Sequence, residues 1–259
     1  MTDDVTQRVA DWWATSVSRV EPGVIELRGL PIQELLGGTS LTEAAWLLLR
    51  GERPTARQVQ LLDAALVGSV DHGPHAPSIA VARMAATCGV GLNNAIASGV
   101  NVMGDVHGGA GQQCLELYSE LLDGAGDDPD LTAATRATVA RWRERSKYLP
   151  GFGHRFHPRD PRRDPLLGLV RRAVDDGVVE GRFLAAGLAV EAAIAPVPMN
   201  IDGATAVIYG ELGFPAPLAR GLFVLGRTVG VLAHAWEEMR EGRRIKGPIP
   251  PEIRPTYRP

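Results

Sequence analysis

Apolar positions recur at helical spacing along most of this chain. From Val5 to Val20 the residues Val9, Trp12, Trp13, Val17 and Val20 fall on one helical face before Pro22-Gly23 breaks the run, which predicts an amphipathic helix. Val24-Ile25-Glu26-Leu27 has room only for a small strand or an extended lead-in. Ser40-Leu41-Thr42-Glu43 and Thr55-Ala56-Arg57-Gln58 are capping-box signatures, in which the first and fourth side chains satisfy orphan backbone donors reciprocally. They predict helices ending near Gly51 and Val70. Further helices are expected over 78–88, 92–103, from a glycine turn to about Leu122, on to Lys147, and over 165–174, 181–195, 202–212 and 217–240. The last carries Leu222, Leu225, Val229, Leu232 and Trp236 as an apolar stripe. Residues 71–78, with two prolines and two histidines, read as a loop, and 123–130 as a polar linker in which Asp128 caps the next helix and Pro129 opens it. The segment 242–259 is too proline-rich to be helical throughout. No series of strands alternates with the helices, so the expected class is all-α.

A length of 259 residues allows one large or two modest domains. Net charge is −3, which excludes a general basic field for nucleic acid or an anionic membrane, so an anionic ligand has to be met by individual arginines. The acidic start Met1-Thr2-Asp3-Asp4 is unlike a secretory signal, and no apolar run approaches the roughly 18 residues of a spanning helix. A cytoplasmic protein is expected, without membrane or nucleic-acid partners. Cys88 and Cys114 lack metal-ligand spacing and are expected to be reduced thiols.

Nucleophile elbow, P-loop, dinucleotide fingerprint and metalloprotease helix are all missing from the sequence. His72 and His75 have no third ligand nearby, so no metal site is expected. What remains is a glycine-dense turn, Gly104-Asp105-Val106-His107-Gly108-Gly109-Ala110-Gly111, a second one, Pro150-Gly151-Phe152-Gly153-His154-Arg155, and Asp202 within Pro198-Met199-Asn200-Ile201-Asp202-Gly203. Glycines permit close backbone approach, and a histidine at a helix start can donate to a developing oxyanion. Scattered histidines, one aspartate and arginines at loops suit acid–base work on a carbon acid better than metal binding.

The order of these motifs, followed by Asp160-Pro161-Arg162 after the second turn and by Gly226-Arg227 in the last helix, resembles the citrate synthase family. The stretches Leu27–Leu35 and Trp46–Thr55 are similar to that family's early helices. The resemblance implies a mostly helical, two-domain homodimer closing over oxaloacetate or citrate and a coenzyme A thioester, with no resident cofactor. It implies domain boundaries at 1–109, 110–205 and 206–259, the middle segment being the small domain. By motif, Asp202 matches the base at the thioester α-carbon, His107 the donor to the enolate oxygen, and His154 the histidine at the keto group. His72 matches a substrate-binding histidine, and Arg162 and Arg227 match carboxylate-binding arginines. Gly151, Phe152, Gly153 and Arg155 fall where the thioester's coenzyme A would lie. His75 and His157 have no counterpart, and His234, among apolar neighbours in the last helix, reads as a packed or rim residue. One short helix separates Gly51–Thr55 from Asp71-His72-Gly73, which shortens the large domain and looks like the compact citryl-CoA lyase type, including the similar module of ATP-citrate lyase. Citryl-CoA cleavage is therefore expected ahead of citrate or methylcitrate synthesis, and a non-catalytic acyl-CoA-binding module is the rival outside enzymes. The family's tail arginine before a proline is replaced by Lys246-Gly247-Pro248, leaving Arg243, Arg244 or Lys246 as substitutes.

Overall fold

The computed structural model describes residues 3–250 and 252–259. Met1 and Thr2 of the acidic start and Pro251 of the tail lie outside them. The fold is predominantly helical with one small sheet, as the periodicity predicts. Two compact units, 1–63 and 64–259, are distinguished by their internal packing.

In the first unit, α1 (Asp3–Trp12) stops well short of Val20 and buries no residue. The expected helix is corrected there, because β1 (Ser18–Glu21) turns at Pro22-Gly23 and pairs antiparallel with β2 (Val24–Leu27), Glu21 opposite Val24. Pro-Gly at the centre of a tight turn favours that reversal, Gly23 taking φ +79°. β3 (Leu30–Pro31) adds to β2 and runs into a short helix, α2 (Ile32–Leu35). α3 (Leu41–Arg50) carries the expected capping box: Ser40 Oγ accepts from Glu43 N at 3.2 Å and Glu43 Oε2 from Ser40 N at 2.7 Å. α4 (Ala56–Ser69) begins with its own reciprocal pair, Thr55 N to Gln58 Oε1 at 2.8 Å and Gln58 N to Thr55 Oγ1 at 3.3 Å.

In the second unit, α5 (Pro77–Ala86), α6 (Leu92–Asn101) and the long α12 (Ala216–Glu241) pack through small residues. Ala76, Ile79, Ala82, Ala95, Val231 and Ala235 form this core, and a Cβ on Gly99 would strike Ser78 O at 2.7 Å. α7 (Ala110–Ala125) packs on α11 (Ile201–Glu211) and α12, with α8 (Thr132–Arg145) and α10 (Arg182–Ala193) beside it, and α9 (Arg163–Asp175) packs on α11 and α10. α8 starts later than expected: its N-cap is Leu131, while Asp128 and Asp130 each accept from the backbone two residues on. α12 is long and apolar enough to cross a bilayer by length and composition, which corrects the expectation that no run is. It also holds Arg227 and Glu238 almost wholly buried, at 4% and 0% exposure. After Gly242 the described residues form no helix or strand, and both cysteines are free, Cys114 buried and Cys88 exposed.

Candidate active site

The first glycine turn folds back on itself. Gly104 N donates to His107 O at 2.8 Å, Gly104 and Gly108 form a bridge, and Gly108 takes φ +96°. A Cβ on Gly109 would lie 2.6 Å from Asp105 O, so the chain can reverse this sharply only with glycine there. The turn delivers His107 to the start of α5, where Ser78 N donates to its Nε2 at 3.1 Å. A nitrogen that accepts from a backbone N–H carries no proton in the neutral ring, which leaves Nδ1–H as the donor. Burial, reinforced by Arg227, pushes the pKa of His107 down and favours this neutral form.

The second turn and the approach to α11 are bound as a pair of short strands. Gly153 N donates to Pro198 O at 2.8 Å, Asn200 N to Gly151 O at 2.9 Å, and Phe152 bridges to Met199. Asn200 then does two jobs, donating from Nδ2 to Gly153 O at 2.6 Å and capping α11 by accepting from Asp202 N and Gly203 N. His154 and Asp202 are thereby held in one rigid piece. His154 Nδ1 accepts from Phe156 N at 3.0 Å and His157 N at 3.1 Å, so its proton is on Nε2. Burial lowers its pKa against the opposing charge of Asp160, with His157 and Arg162 adding to the fall. Burial raises the pKa of Asp202; Arg162 and Arg227 oppose the shift and Asp160 adds to it.

Two arginines complete the set. Arg162 is clamped by Asp160, Nε to Oδ1 and Nη2 to Oδ2 at 2.9 Å each, and Asp160 Oδ2 also accepts from Ile201 N at 3.1 Å. Asp160, 1% exposed, so joins the Arg162 segment to the start of the Asp202 helix. Among the described residues Arg227 donates from Nε alone, to Ser69 O at 2.9 Å, and it lies over the Phe223 ring at 4.9 Å. Among the described residues no carboxylate comes within 4.0 Å of this buried guanidinium. A buried, unpaired arginine is expensive to maintain unless an anion completes it.

These groups meet around a cavity of about 290 Å³ lined by His72, His107, His154, Arg155, Arg162, Asp202 and Arg227. His75, Phe156 and Phe223 line it too. Every expected catalytic and substrate-binding residue is present. Of the four expected around coenzyme A, only Arg155 reaches the cavity, where it is exposed and makes no hydrogen bond or ion pair to described residues. Gly151 and Phe152 are buried in the turn: Gly151 abuts Cys114 Sγ and Gly203, and Phe152 meets Tyr118 edge-on, while Gly153 is half-buried. A larger cavity, about 890 Å³, lies between α8 and α10, but alanines, Arg136 and Arg143 line it and no histidine or carboxylate does. It lacks the groups for proton transfer. No cluster of three or more metal-ligating side chains occurs among the described residues.

The family model for the citrate synthase C-terminal domain matches residues 49–256. The chain belongs to the citrate synthase family. Citrate synthase 1 of Mycobacterium tuberculosis is 30% identical over 218 residues, covering 77% of this chain and 47% of that protein. Citrate synthase of Haloferax volcanii is 28% identical over 214 residues, 80% of this chain and 54% of that one. The chain thus spans about half the length of these relatives. Among solved structures, citryl-CoA lyase from Hydrogenobacter thermophilus superposes with a TM-score of 0.80 at 29% identity, covering 95% of each chain. ATP citrate lyase from Methanothrix soehngenii, solved with citrate and coenzyme A, shares the fold at 17% identity with a TM-score of 0.78, over 100% of this chain and 45% of that one.

Within this citrate synthase fold, Ser78 and Asp160 are parts of the site that sequence reasoning passed over. Ser78 meets His107 Nε2 with its backbone N–H and, at 3.0 Å, with its hydroxyl, a long-range contact that nothing near His107 in sequence announces, whereas Asp160 was legible in Asp160-Pro161-Arg162 but was read only for its arginine. The tail also differs from expectation. Lys246 Nζ donates to both oxygens of the buried Glu238 at 2.9 and 3.0 Å, and its backbone N–H is held by Thr87 Oγ1 at 2.9 Å. Arg243 pairs with Glu241 at 2.9 Å. Lys246 and Arg243 are therefore engaged within their own chain.

Proposed function

We propose that this chain is a citryl-CoA lyase, cleaving citryl-CoA to acetyl-CoA and oxaloacetate. The observation that carries the reading is the single cavity in which a neutral His107 offers Nδ1–H, Asp202 has its carboxyl raised by burial, and Arg227 lies buried without an anion. Likeness to a citryl-CoA lyase over 95% of both chains favours cleavage over synthesis. In this scheme Arg162 and Arg227 bind carboxylates, a task suited to the planar guanidinium, and His72 binds substrate beside them. The tertiary hydroxyl loses its proton to His154 as the carbon–carbon bond breaks, and oxaloacetate forms. The bonding electrons pass into the thioester enolate, whose oxygen is held by His107 Nδ1–H. Asp202 then protonates the enolate carbon. A raised pKa helps here, because the carboxyl has to start protonated. Coenzyme A enters as the substrate's thioester, with Arg155 placed for its phosphates and Gly151, Phe152 and Gly153 shaping the turn beneath.

Condensation of acetyl-CoA with oxaloacetate is the second reading, and one observation favours it. His154 holds its proton on Nε2, which is the form that donates to a keto oxygen. Cleavage requires the other neutral tautomer, with the proton on Nδ1 and Nε2 free to accept, so the Phe156 and His157 N–H groups have to turn away from Nδ1 when citryl-CoA binds. Assays of the purified chain with citryl-CoA, and separately with acetyl-CoA plus oxaloacetate, decide between them. Release of oxaloacetate from citryl-CoA is expected; formation of citrate and free coenzyme A would favour synthesis, and ligand binding without turnover would leave a binding module.

The chain is further proposed to work as a homodimer with 110–205 as a closing small domain. In support, Leu225, Val229, Leu232 and Trp236 form an exposed apolar stripe along α12, suited to a second copy. If the tail delivers a cation to a neighbour's site, Arg254 and Arg258 are the better candidates, since both precede a proline and neither is paired to described residues.

A further inference from the structure

We propose that His234 is a positioning residue for His72, acting through Asp71, and that the same polar chain continues through Arg83 and Glu238 to Lys246 in the tail. The inference rests on the reading of His72 as a substrate-binding residue. His234 stands on α12 where that helix passes the start of the His72 loop, and the approach is close because Gly230 lies against Val70 O with no side chain between them. Arg83 Nη1 donates to His234 Nδ1 at 2.9 Å. Guanidinium only donates, so Nδ1 accepts and Nε2 carries the proton, facing Asp71 Oδ1 at 3.3 Å. The other oxygen of Asp71 accepts from Gly73 N at 3.2 Å, closing the turn in which Gly73 takes φ +74°. His72 sits inside that turn, its ring 5.1 Å from the His154 ring at the cavity wall. One carboxylate thus shapes the turn with one oxygen and is anchored to α12 with the other.

The opposite end of the chain is more deeply buried. Arg83 Nη2 pairs with Glu238 at 2.5 Å, and Glu238, fully buried, also accepts from Lys246 Nζ. Glu237 accepts from Arg83 at 2.6 Å and lies 4.0 Å from His234 Nδ1, and Arg243 lies 3.7 Å from Glu238. Ile245 N donates to Thr87 O at 3.0 Å, so the tail leaves the helix at a fixed point. Each link from Lys246 to Gly73 is a hydrogen bond or an ion pair. A tail that shifts would disturb the cavity's first histidine through this chain, without touching the cavity.

The test replaces His234 with Phe, which removes both links, and with Gln, which can accept from Arg83 and donate to Asp71. Asp71→Ala breaks the turn from an exposed position and serves if His234→Phe does not fold. The Cε1–H resonance of His72, assigned with His72→Gln, is titrated in the ligand-free protein. Burial, then Arg162, His154, Arg227 and His157, hold the pKa of His72 below the ordinary histidine value. His234→Phe, by loosening the turn, should move its midpoint up toward that value; Asp71→Ala also removes a neighbouring negative charge and should change the midpoint, and both should raise KM for the carboxylate substrate roughly threefold to thirtyfold, with kcat within about twofold. His234→Gln should restore both. An unchanged His72 titration in His234→Phe and Asp71→Ala, or a loss of thermal stability with His72 unmoved, overturns the proposal. If no substrate is turned over, the enzymatic reading fails, but the titration of His72 still decides this one.

Discussion

At the scale of single residues, Asp202 is held where its charge is disfavoured. Its amide is tied to the Asn200 cap, its carboxyl is half-buried against α7, and Asp160 adds a second negative charge nearby. Asp202→Asn should therefore lower turnover by about 10²- to 10⁴-fold while leaving substrate binding nearly intact, as measured by steady-state rates and calorimetry. The same substitution should stabilise the fold at neutral pH. A carboxyl whose folded pKa is raised favours folding below the unfolded pKa of about 4 and loses that contribution as pH rises through the folded value. The wild type should then be less stable than Asp202→Asn at pH 8, and the gap should close near pH 4 in urea titrations. Equal pH dependence in the two proteins would show the carboxyl to be unperturbed. Such a residue is visible in sequence as a lone aspartate in Asn200-Ile201-Asp202; its raised pKa is not, because burial depends on α7 and the second glycine turn.

At the scale of elements, the capped helices follow local rules and the glycine turns follow packing. Ser40 with Glu43 and Thr55 with Gln58 satisfy their donors within four residues, so they were legible. The end of α1 was not. Val17 and Val20 continue its helical spacing, but Pro22-Gly23 turns the chain back, and pairing with β2 selected the strand. Gly151 shows what packing adds. It takes φ +82°, and a Cβ there would meet Cys114 Sγ and, at 2.9 Å, Gly203 Cα. Gly177 has a similar φ of +68° but open space around it. Gly177→Ala should cost about 1 kcal/mol for the left-handed conformation, and Gly151→Ala about 3 kcal/mol once the forced contact is added. Denaturation midpoints of the two variants compare them directly. Because Gly151 O also receives Asn200 N, its substitution should displace His154 and Asp202 together and reduce activity, whereas Gly177→Ala should not.

At the scale of the whole molecule, the tail has two parts with different roles. The tail is pinned to Glu238 and Thr87 at Lys246, and the described residues beyond it are exposed. Deleting 247–259 should weaken the proposed dimer and raise KM for the tricarboxylate, because extended contact and a charge-assisted hydrogen bond are lost together. Light scattering reads the first effect and steady-state kinetics the second; a truncated chain unchanged in both would make the tail a surface strap. Leu232→Glu places a charge in the apolar stripe of α12 and should yield monomers at micromolar concentration if that stripe is the interface. Closure of 110–205 over a ligand should appear as a rotation of that segment between ligand-free and oxaloacetate-bound crystals, and rigid superposition would count against it.

The sequence by itself determined the helical class, the capping boxes and the order of the motifs, because periodicity and cap chemistry are settled within a few residues. It also pointed to His107, His154 and Asp202, since two glycine–histidine turns and a lone aspartate in this order resemble the citrate synthase family. Tertiary structure decided which nitrogen of each histidine bears the proton, through Ser78 N for His107 and the Phe156 and His157 amides for His154. It decided that Arg227 is buried with no carboxylate partner among the described residues while Arg162 is clamped by Asp160, and that Lys246 serves Glu238 in its own chain. Those outcomes rest on distances between residues far apart in the chain, and on burial, which shifts a pKa or strands a charge only once the helices have packed.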